Sequence, residues 1–237
     1  MTTTKSNSFN LAIETSGRNG SVAIGRGESI LQPVLLSHDP ANPRKGAELM
    51  PAIDQLCQQQ NATPQQIAQI YVSIGPGSFT GLRIAVTTAK MLGQTIGAKL
   101  VAVPTIEVIA HNAPPNSRYV AVCLNMKRDT MYAGVYERDG DEFNPVVEPA
   151  LTTLDELLDK APRPLAVIGD PLPNLTLDAV QSFTGDSAIA SAKTVYSLGY
   201  AAALRDEFAD GFDLVPLYVR VPEAVELWNK RHGATSS

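Results

Sequence analysis

The chain has 237 residues, of which 44% are hydrophobic and 18% charged, so it can bury an ordinary core and is long enough for one large domain or two lobes. Its net charge of -5 is uneven: residues 1–104 carry eight Lys and Arg against five Asp and Glu, and residues 105–237 carry eleven against nineteen. A protein that holds RNA on its own usually shows a basic stripe, because phosphate contacts supply most non-specific affinity. The composition therefore argues against a chain that binds nucleic acid alone.

The N-terminus and the cysteines indicate the compartment. Residues 1–8 are polar and lack the apolar centre of a signal peptide, and no apolar run is long enough to cross a bilayer. Cys57 and Cys123 fall inside helix and strand patterns, which favours buried small side chains over a disulfide and suits a reducing compartment. We expect a cytoplasmic protein that does not associate with membranes.

The first half of the chain predicts three antiparallel strands followed by helix, strand, helix and strand. The predicted strands are 9–15, 21–25, 29–36, 71–74 and 100–103, and the predicted helices are 48–60 and 80–96. Asn19-Gly20 is a strong turn signal between the first two strands, and Pro51 is tolerated because it falls in the first turn of its helix.

The second half approximately repeats this order. The predicted strands are 119–124, 131–137, 143–147 and 165–168, and the predicted helices are 154–160 and 195–208. Two such lobes in tandem, separated near Pro104 and Pro114-Pro115, are the arrangement of the actin-like ATPase superfamily. We therefore predict an α/β fold of two ribonuclease-H-like lobes, residues 1–104 and 105–237.

A glycine-rich loop joins the central strand of the first lobe to its longest helix. Gly75, Gly77 and Gly81 allow positive φ angles and close approach to another surface, and either Ser78 or Thr80 can cap the helix. Such a loop can also bind an anion on free N–H groups, so a steric and an anion-binding interpretation both stay open. The spacing fits neither a P-loop, nor a dinucleotide fingerprint, nor a nucleophile elbow.

Several motifs resemble those of the TsaB (YeaZ) family, most specifically over residues 9–112. They are Leu11-Ala12-Ile13-Glu14-Thr15-Ser16, Ser21-Val22-Ala23-Ile24, Gly75-Pro76-Gly77-Ser78-Phe79-Thr80-Gly81-Leu82-Arg83, Thr88-Ala89-Lys90 and Pro216-Leu217-Tyr218-Val219-Arg220-Val221-Pro222-Glu223-Ala224. The resemblance implies a non-catalytic scaffold subunit of the bacterial machinery that installs threonylcarbamoyl on N6 of the adenosine beside the tRNA anticodon. It also implies two partners, a homologous TsaD subunit that holds the metal and the chemistry and a small ATPase, TsaE.

In this family the docking surface is built from two helices of the first lobe, so the resemblance points to residues 48–56 and 80–92. The implied partner-binding residues are Glu48, Leu49, Met50, Ile53, Thr80, Leu82, Arg83, Ile84, Val86 and Met91. Both helices carry apolar residues outside one narrow stripe, and such helices usually have more than one surface to cover them. The alternative is that the extra residues pack within their own lobe.

The same helix pair is expected to form a homodimer when the partner is absent, with tRNA contacted only indirectly. Two segments depart from the family pattern. Gly46-Ala47-Glu48 replaces the His-Ser-Glu of many members, and Asn125-Met126 replaces the more usual Asp-Ala.

Actin-like ATPases hold nucleotide phosphates and Mg²⁺ between the lobes with one carboxylate from each lobe's first hairpin. Glu14 occupies the first position, but the second is Asn125 with no glycine pair after it. A vestigial nucleotide site would therefore involve Glu14, Thr15 and Ser16; alternatively, Glu14 is a solvated charge at the end of a strand.

No metal or nucleophile motif accompanies these residues. The histidines are His38, His111 and His232, and none lies one helical turn from another, as a metal pair requires. We expect His38 in a loop and His111 at the end of a short helix. We predict no catalytic residue, no metal and no cofactor, hence a subunit that is not an enzyme; the alternative is a nucleotide-dependent kinase or acyl-transfer enzyme of the actin-like fold.

Overall fold

Two β-sheets organise the chain in the computed structural model, which describes residues 8–17, 19–31, 33–36, 45–126, 130–169, 178–219 and Trp228. The first sheet contains β1 (Phe9–Glu14), β2 (Ser21–Arg26), β3 (Ser29–Ile30), β4 (Val34–Leu35), β5 (Ile67–Gly75) and β6 (Lys99–Pro104). Its order is β3-β2-β1-β5-β6, with β4 also paired to β2. Strand β1 is antiparallel to β2 and parallel to β5, and β5 is parallel to β6.

The second sheet contains β7 (Tyr119–Asn125), β8 (Met131–Asp139), β9 (Glu142–Thr152), β10 (Leu165–Gly169) and β11 (Val180–Phe183). Its order, β11-β10-β7-β8-β9, matches the order β6-β5-β1-β2-β3 of the first sheet element by element. The predicted repeat of one topology in two lobes is therefore present.

The helices are α1 (Lys45–Gln59), α2 (Phe79–Ile96), α3 (Thr105–Ala110), α4 (Leu154–Lys160) and α5 (Ala192–Leu204). Alternating side chains of the first sheet divide between two cores. Leu11, Ile13 and Ile24 belong to the core under α1 and α2, whereas Ala12 and Tyr71 belong to the core shared with α3 and α5. Because both faces are covered, the central strands are nearly continuous apolar runs.

Most predicted elements are present, with some different boundaries. The predicted strand 29–36 is wrong as one element: it is two short strands, and Pro33 between them has no N–H to donate to a ladder. The predicted helix 195–208 begins earlier, at Ala192, because the Ser191 side chain caps it by accepting from the Thr194 amide. The sequence patterns did not predict β11.

The division into residues 1–104 and 105–237 stays a prediction. The strands of each sheet fall within one of the two ranges. However, helix α5, which lies in the range 105–237, packs against β1, β2, β5 and β6 of the first sheet. Within the described ranges, no helix is long and apolar enough to span a membrane.

Candidate functional site

The loops that follow β1 and β5 meet, because these parallel neighbours end at the same edge of the sheet. The Ser78 amide donates to the Ser16 carbonyl at 2.7 Å, and the Thr15 hydroxyl donates to the Gly81 carbonyl at 2.7 Å. The hairpin turn after β1 and the first turn of α2 are therefore one packed unit.

Two of the three loop glycines are required by this close approach. A Cβ atom on Gly77 would lie 2.6 Å from the Ser16 carbonyl oxygen, and one on Gly81 would overlap the Thr15 carbonyl oxygen. Gly75 is the one of the three with a positive φ, of 116°. Steric need therefore accounts for all three glycines.

Two amides at this helix start, those of Ser78 and Gly81, already have acceptors. Ser78 is the N-cap of α2, and its side chain accepts from the Gly81 amide at 3.3 Å. Its own amide is taken by Ser16. Of the two predicted capping residues, Ser78 is confirmed, and these two N–H groups are not directed at an external anion.

Glu14 lies fully buried beneath the hairpin turn. Its Oε1 atom accepts from both the amide and the hydroxyl of Ser16. Its Oε2 atom is buried and makes no hydrogen bond of normal geometry. Burial raises the pKa of Glu14 above its ordinary value of 4.5, and hydrogen bonding from Ser16, then from Ser73, opposes this only in part. The interpretation of Glu14 as a solvated charge at a strand end is wrong, because the turn folds back over its carboxyl group.

A cleft of about 970 Å³ opens between the two sheets, above this turn. Its lining residues are Ser16, Gly17, Asn19, Pro76, Gly77, Ser78, Thr105, Ile109, Leu124, Asn125, Met126, Gly185, Asp186, Ala188, Ile189 and Ala190. Of the residues predicted for a vestigial nucleotide site, Ser16 lines the cleft, whereas Glu14 and Thr15 are fully buried and lie behind it. Asn125, the counterpart from the second lobe, lies on the opposite wall.

The residues predicted to bind a partner divide into exposed and buried sets. Leu49, Ile53, Leu82 and Val86 are buried in the core of the first lobe. Glu48 and Ile84 are half-buried, and Met50, Thr80, Arg83 and Met91 are exposed. The four core side chains hold α1 and α2 in place, so the exposed surface of the two helices is formed by the other six. The docking set as a whole stays a prediction.

Sequence reasoning did not assign a role to residues 209–219, which we call the strap. Lys90 of α2 donates to the carbonyl groups of Phe212 and Leu214, at 3.2 and 3.1 Å. Further along, the Leu217 amide donates to the Ile74 carbonyl at 2.7 Å. The strap therefore runs antiparallel to α2 along one flank. The sequence did contain one signal for the strap: both Lys90 and residues 216–224 lie in motifs that resemble those of the family.

The remaining predicted features lie apart from the cleft and the strap. His111 follows α3 as its C-cap, as predicted, while His38 and His232 lie outside the described residues. Cys57 and Cys123 are buried free thiols, as predicted. In the described part of the chain, no three His, Cys, Asp or Glu side chains cluster as a metal-ligand set.

Paired lobes of matching topology with a cleft between them define an α/β protein of the actin-like ATPase fold. A solved structure described as YeaZ from Pseudomonas aeruginosa superposes with a TM-score of 0.72 at 21% identity, over 89% of this chain and 99% of that one. Another, described as an uncharacterized protein with similarity to peptidase YEAZ from Pseudomonas aeruginosa, gives 0.75 at 22% identity, over 90% and 100%. The predicted fold class is thereby confirmed.

Residues 41–211 match the family model of TsaD, described as tRNA N6-adenosine threonylcarbamoyltransferase. The tRNA threonylcarbamoyladenosine biosynthesis protein TsaB of Bacillus subtilis (strain 168) is 26% identical over 92% of this chain and 96% of its own length. The protein of the same name from Buchnera aphidicola subsp. Schizaphis graminum is 23% identical over 68% and 77%. The chain belongs to the TsaD family. Its similarity to the TsaB proteins and to YeaZ confirms the resemblance seen in its motifs.

Proposed function

We propose that this chain is a non-catalytic scaffold subunit in the biosynthesis of tRNA threonylcarbamoyladenosine. It would bind a TsaD-type catalytic subunit, joined by a TsaE-type ATPase, for modification of N6 of the adenosine beside the tRNA anticodon. The pathway is taken from the names of the TsaB relatives. The observation that carries the scaffold role is the pair of exposed methionines, Met50 and Met91, on helices whose opposite faces are buried.

Large apolar side chains on the outer face of a packed helix leave surface that a partner can cover. Met50 is 49% exposed on α1 and Met91 is 63% exposed on α2. On α2, Ile84 and Met91 are seven residues apart, which places them on one stripe of the helix. The two helices also contact each other, so their outer faces are neighbours on the first lobe.

The state of Glu14 supports a role without catalysis. A carboxylate that holds Mg²⁺ with its waters must be ionised and must face the cleft. Glu14 is buried, accepts from its neighbour Ser16, and has a pKa raised by burial. In addition, its counterpart from the second lobe is the uncharged Asn125.

The family description names a transferase, but the sequence lacks the histidine pair that a catalytic metal site of this family would need. His38, His111 and His232 are all far apart in the chain. The net charge of -5 further favours a subunit that meets tRNA through its partner. These features favour a subunit that is homologous to the catalytic one but does not perform the chemistry.

A nucleotide-dependent enzyme is the second candidate, and the cleft of about 970 Å³ is the observation that favours it. Glu14 and Asn125 weigh against it for the reasons above. Steady ATP hydrolysis by the purified chain, lost in the Glu14→Gln variant, would support this candidate over the scaffold.

A charge placed on the exposed methionines tests the docking surface. We expect Met50→Glu and Met91→Glu to weaken binding to the TsaD-type subunit and self-association together, because both assemblies would use one helix pair. Losing an apolar anchor costs about 2 kcal/mol, or about thirtyfold in affinity.

The matched control is Leu151→Glu, which changes a side chain of similar exposure, 52%, on β9 of the second sheet. It should leave both associations unchanged. If Met50→Glu and Met91→Glu fold normally and bind like the control, these helices are not the docking surface.

A further inference from the structure

His111 ends α3 as its C-cap, and neither the cleft nor the proposed docking surface uses its side chain. Its Nδ1 atom lies 2.9 Å from the carbonyl oxygen of Glu107, one turn earlier in the same helix. Its Nε2 atom lies 3.2 Å from the carbonyl oxygen of Asp141, in the turn between β8 and β9. The ring therefore bridges the end of α3 and the β8–β9 turn.

The two contacts together require one particular state of the ring. A carbonyl oxygen can only accept a hydrogen bond, so each ring nitrogen must carry a hydrogen to make its contact. Neutral imidazole has a hydrogen on one nitrogen and a lone pair on the other, whereas imidazolium donates from both. A neutral ring would point its lone pair at one of the two oxygens. The observed geometry thus matches the protonated form of His111.

Two local features favour a positive charge at this position. The His111 ring packs against the Phe143 ring with 4.6 Å between their centroids, and an aromatic ring attracts a cation placed within about 6 Å of its centroid. The Glu107 carbonyl belongs to the last turn of α3, where a cationic side chain binds the terminal carbonyl groups and suits the helix dipole. Both features stabilise imidazolium relative to the neutral ring.

The charged groups on the surrounding elements are mostly acidic within the described residues. The carboxylates are Glu107 on α3, Asp139, Asp141 and Glu142 at the β8–β9 turn, Asp186 next to Ser187, and Glu207 after α5. The cations are Arg138 on β8, Lys193 at the start of α5, and Arg205. Arg138 lies 4.6 Å from the Phe143 ring centroid and opposes a second positive charge there, whereas Arg205 pairs with Glu207. The excess of carboxylates favours a positively charged ring.

The end of α3 also helps to form the cleft. Thr105 and Ile109 of this helix line one wall. Asn112, directly after His111, donates to the carbonyl groups of Ser187 and Ile189 at 2.9 and 2.8 Å, and Ile189 lines the cleft as well. His111 and Asn112 therefore tie the end of α3 to two neighbouring segments, and His111 supplies the tie that depends on a proton.

We propose that His111 is a pH-sensitive clasp, formed by its ring and the Glu107 and Asp141 carbonyl groups. With both ring nitrogens protonated, the clasp holds the end of α3 against the β8–β9 turn. When the ring loses one proton to water, the remaining hydrogen stays on Nδ1, which makes the shorter contact, and the Nε2 lone pair then faces the Asp141 carbonyl and releases the turn.

Histidine changes its charge between about pH 5 and pH 8, so the clasp is closed at the acidic end of this range and open at the alkaline end. The closed form binds one proton more than the open form. It therefore stabilises the fold at low pH, and this stabilisation is lost as the pH rises. The inference is independent of the proposed scaffold function.

The direct test uses a chain in which His111 is the sole histidine. The sequence contains three histidines, and His38→Gln with His232→Gln removes the other two. Isotopic labelling of the histidine nitrogens shows by NMR which ring nitrogen carries a hydrogen. The backbone amide signals of Asp141, Glu142 and Phe143 report on the turn in the same pH titration.

We expect hydrogens on both ring nitrogens at the acidic end of the titration and on Nδ1 alone at the alkaline end. The turn amides should shift together with the ring, because the Asp141 carbonyl is released when the ring loses its proton. Turn amides that do not follow the ring would overturn the inference, as would a neutral ring with its hydrogen on Nε2.

His111→Gln separates the clasp from a purely structural role, because the Gln amide does not titrate. Relative to the unmodified chain, its unfolding equilibrium constant in urea titrations should rise about fivefold at about pH 5 and change by less than about twofold at about pH 8. Both chains contain Glu14 and Glu107, so the comparison at each pH cancels the contributions of these carboxyl groups.

Asn112→Ala is the matched control, since it removes neighbouring contacts that do not titrate. It should destabilise the chain to the same extent at both pH values. If His111→Gln behaves like this control, with equal effects at both pH values, His111 has a structural role alone and the inference is overturned.

Discussion

Gly81 is the position where one added methyl group should disturb the candidate site most. It lies in the first turn of α2, and a Cβ atom there would overlap the Thr15 carbonyl oxygen and lie 3.1 Å from the Thr15 carbonyl carbon. Backbone atoms at the end of β1 cannot move as a side chain can, so the cost of Gly81→Ala should reach the upper part of the overpacking range, about 3 kcal/mol. For a chain of this size, that lowers the melting temperature by about 6 to 12 °C.

Gly17→Ala is the matched control, because the nearest atom to its added Cβ would be the Asn19 carbonyl oxygen at 4.0 Å. Thermal unfolding followed by circular dichroism compares the two variants with the unmodified chain. We expect a large loss for Gly81→Ala and a change within about 0.5 kcal/mol for Gly17→Ala. Equal melting temperatures for the two variants would refute the packing of α2 against the hairpin turn.

Three further results are expected. The free energy of unfolding should fall as pH rises from 4.5 towards the raised pKa of Glu14, because the carboxyl group ionises first in the unfolded chain. Glu14→Gln should reduce this decline in urea titrations at several pH values, leaving the part due to Glu107, whose pKa is also raised by burial, and an unchanged slope would contradict the burial of Glu14. Burial raises the pKa of the Cys123 thiol to about 12, so it should not react with DTNB at pH 8 until the chain unfolds, whereas rapid reaction of the native protein would count against its position. Lys90→Met should speed hydrogen exchange at the Leu217 amide, and unchanged protection measured by mass spectrometry would show that Lys90 does not hold the strap.

Local patterns in the sequence were enough to predict elements whose ends are set by residues close by in the chain. The helix 154–160 was predicted with its observed bounds, and the structure shows that Thr153 and Glu156 form a reciprocal capping box at its start. The glycine loop was also predictable, since closely spaced glycines between a buried strand and a long helix are typical of a tight turn. By contrast, β11 is four residues long and only partly buried, so its pattern carries little signal.

The site was less predictable, because its properties arise from contacts between distant residues. The sequence shows a glutamate at position 14, whose carboxylate could face a cleft. Its burial depends on the turn folding back and on α2 packing above it, from more than 60 residues away. The strap was equally hidden, because the pairing of Tyr218 with Phe79 joins two motifs that are adjacent only in the fold.

The proposed scaffold function is tested most directly by reconstituting tRNA threonylcarbamoylation from purified components. The reaction contains the TsaD-type subunit, the TsaE-type ATPase, ATP, a threonylcarbamoyl donor and unmodified tRNA, and the modified nucleoside is measured by mass spectrometry. We expect no product from this chain alone, full product only when it accompanies the TsaD-type subunit, and loss of product with Met50→Glu but not with Leu151→Glu. Product formed by this chain in the absence of the TsaD-type subunit, or product formation that does not depend on this chain, would contradict the scaffold function.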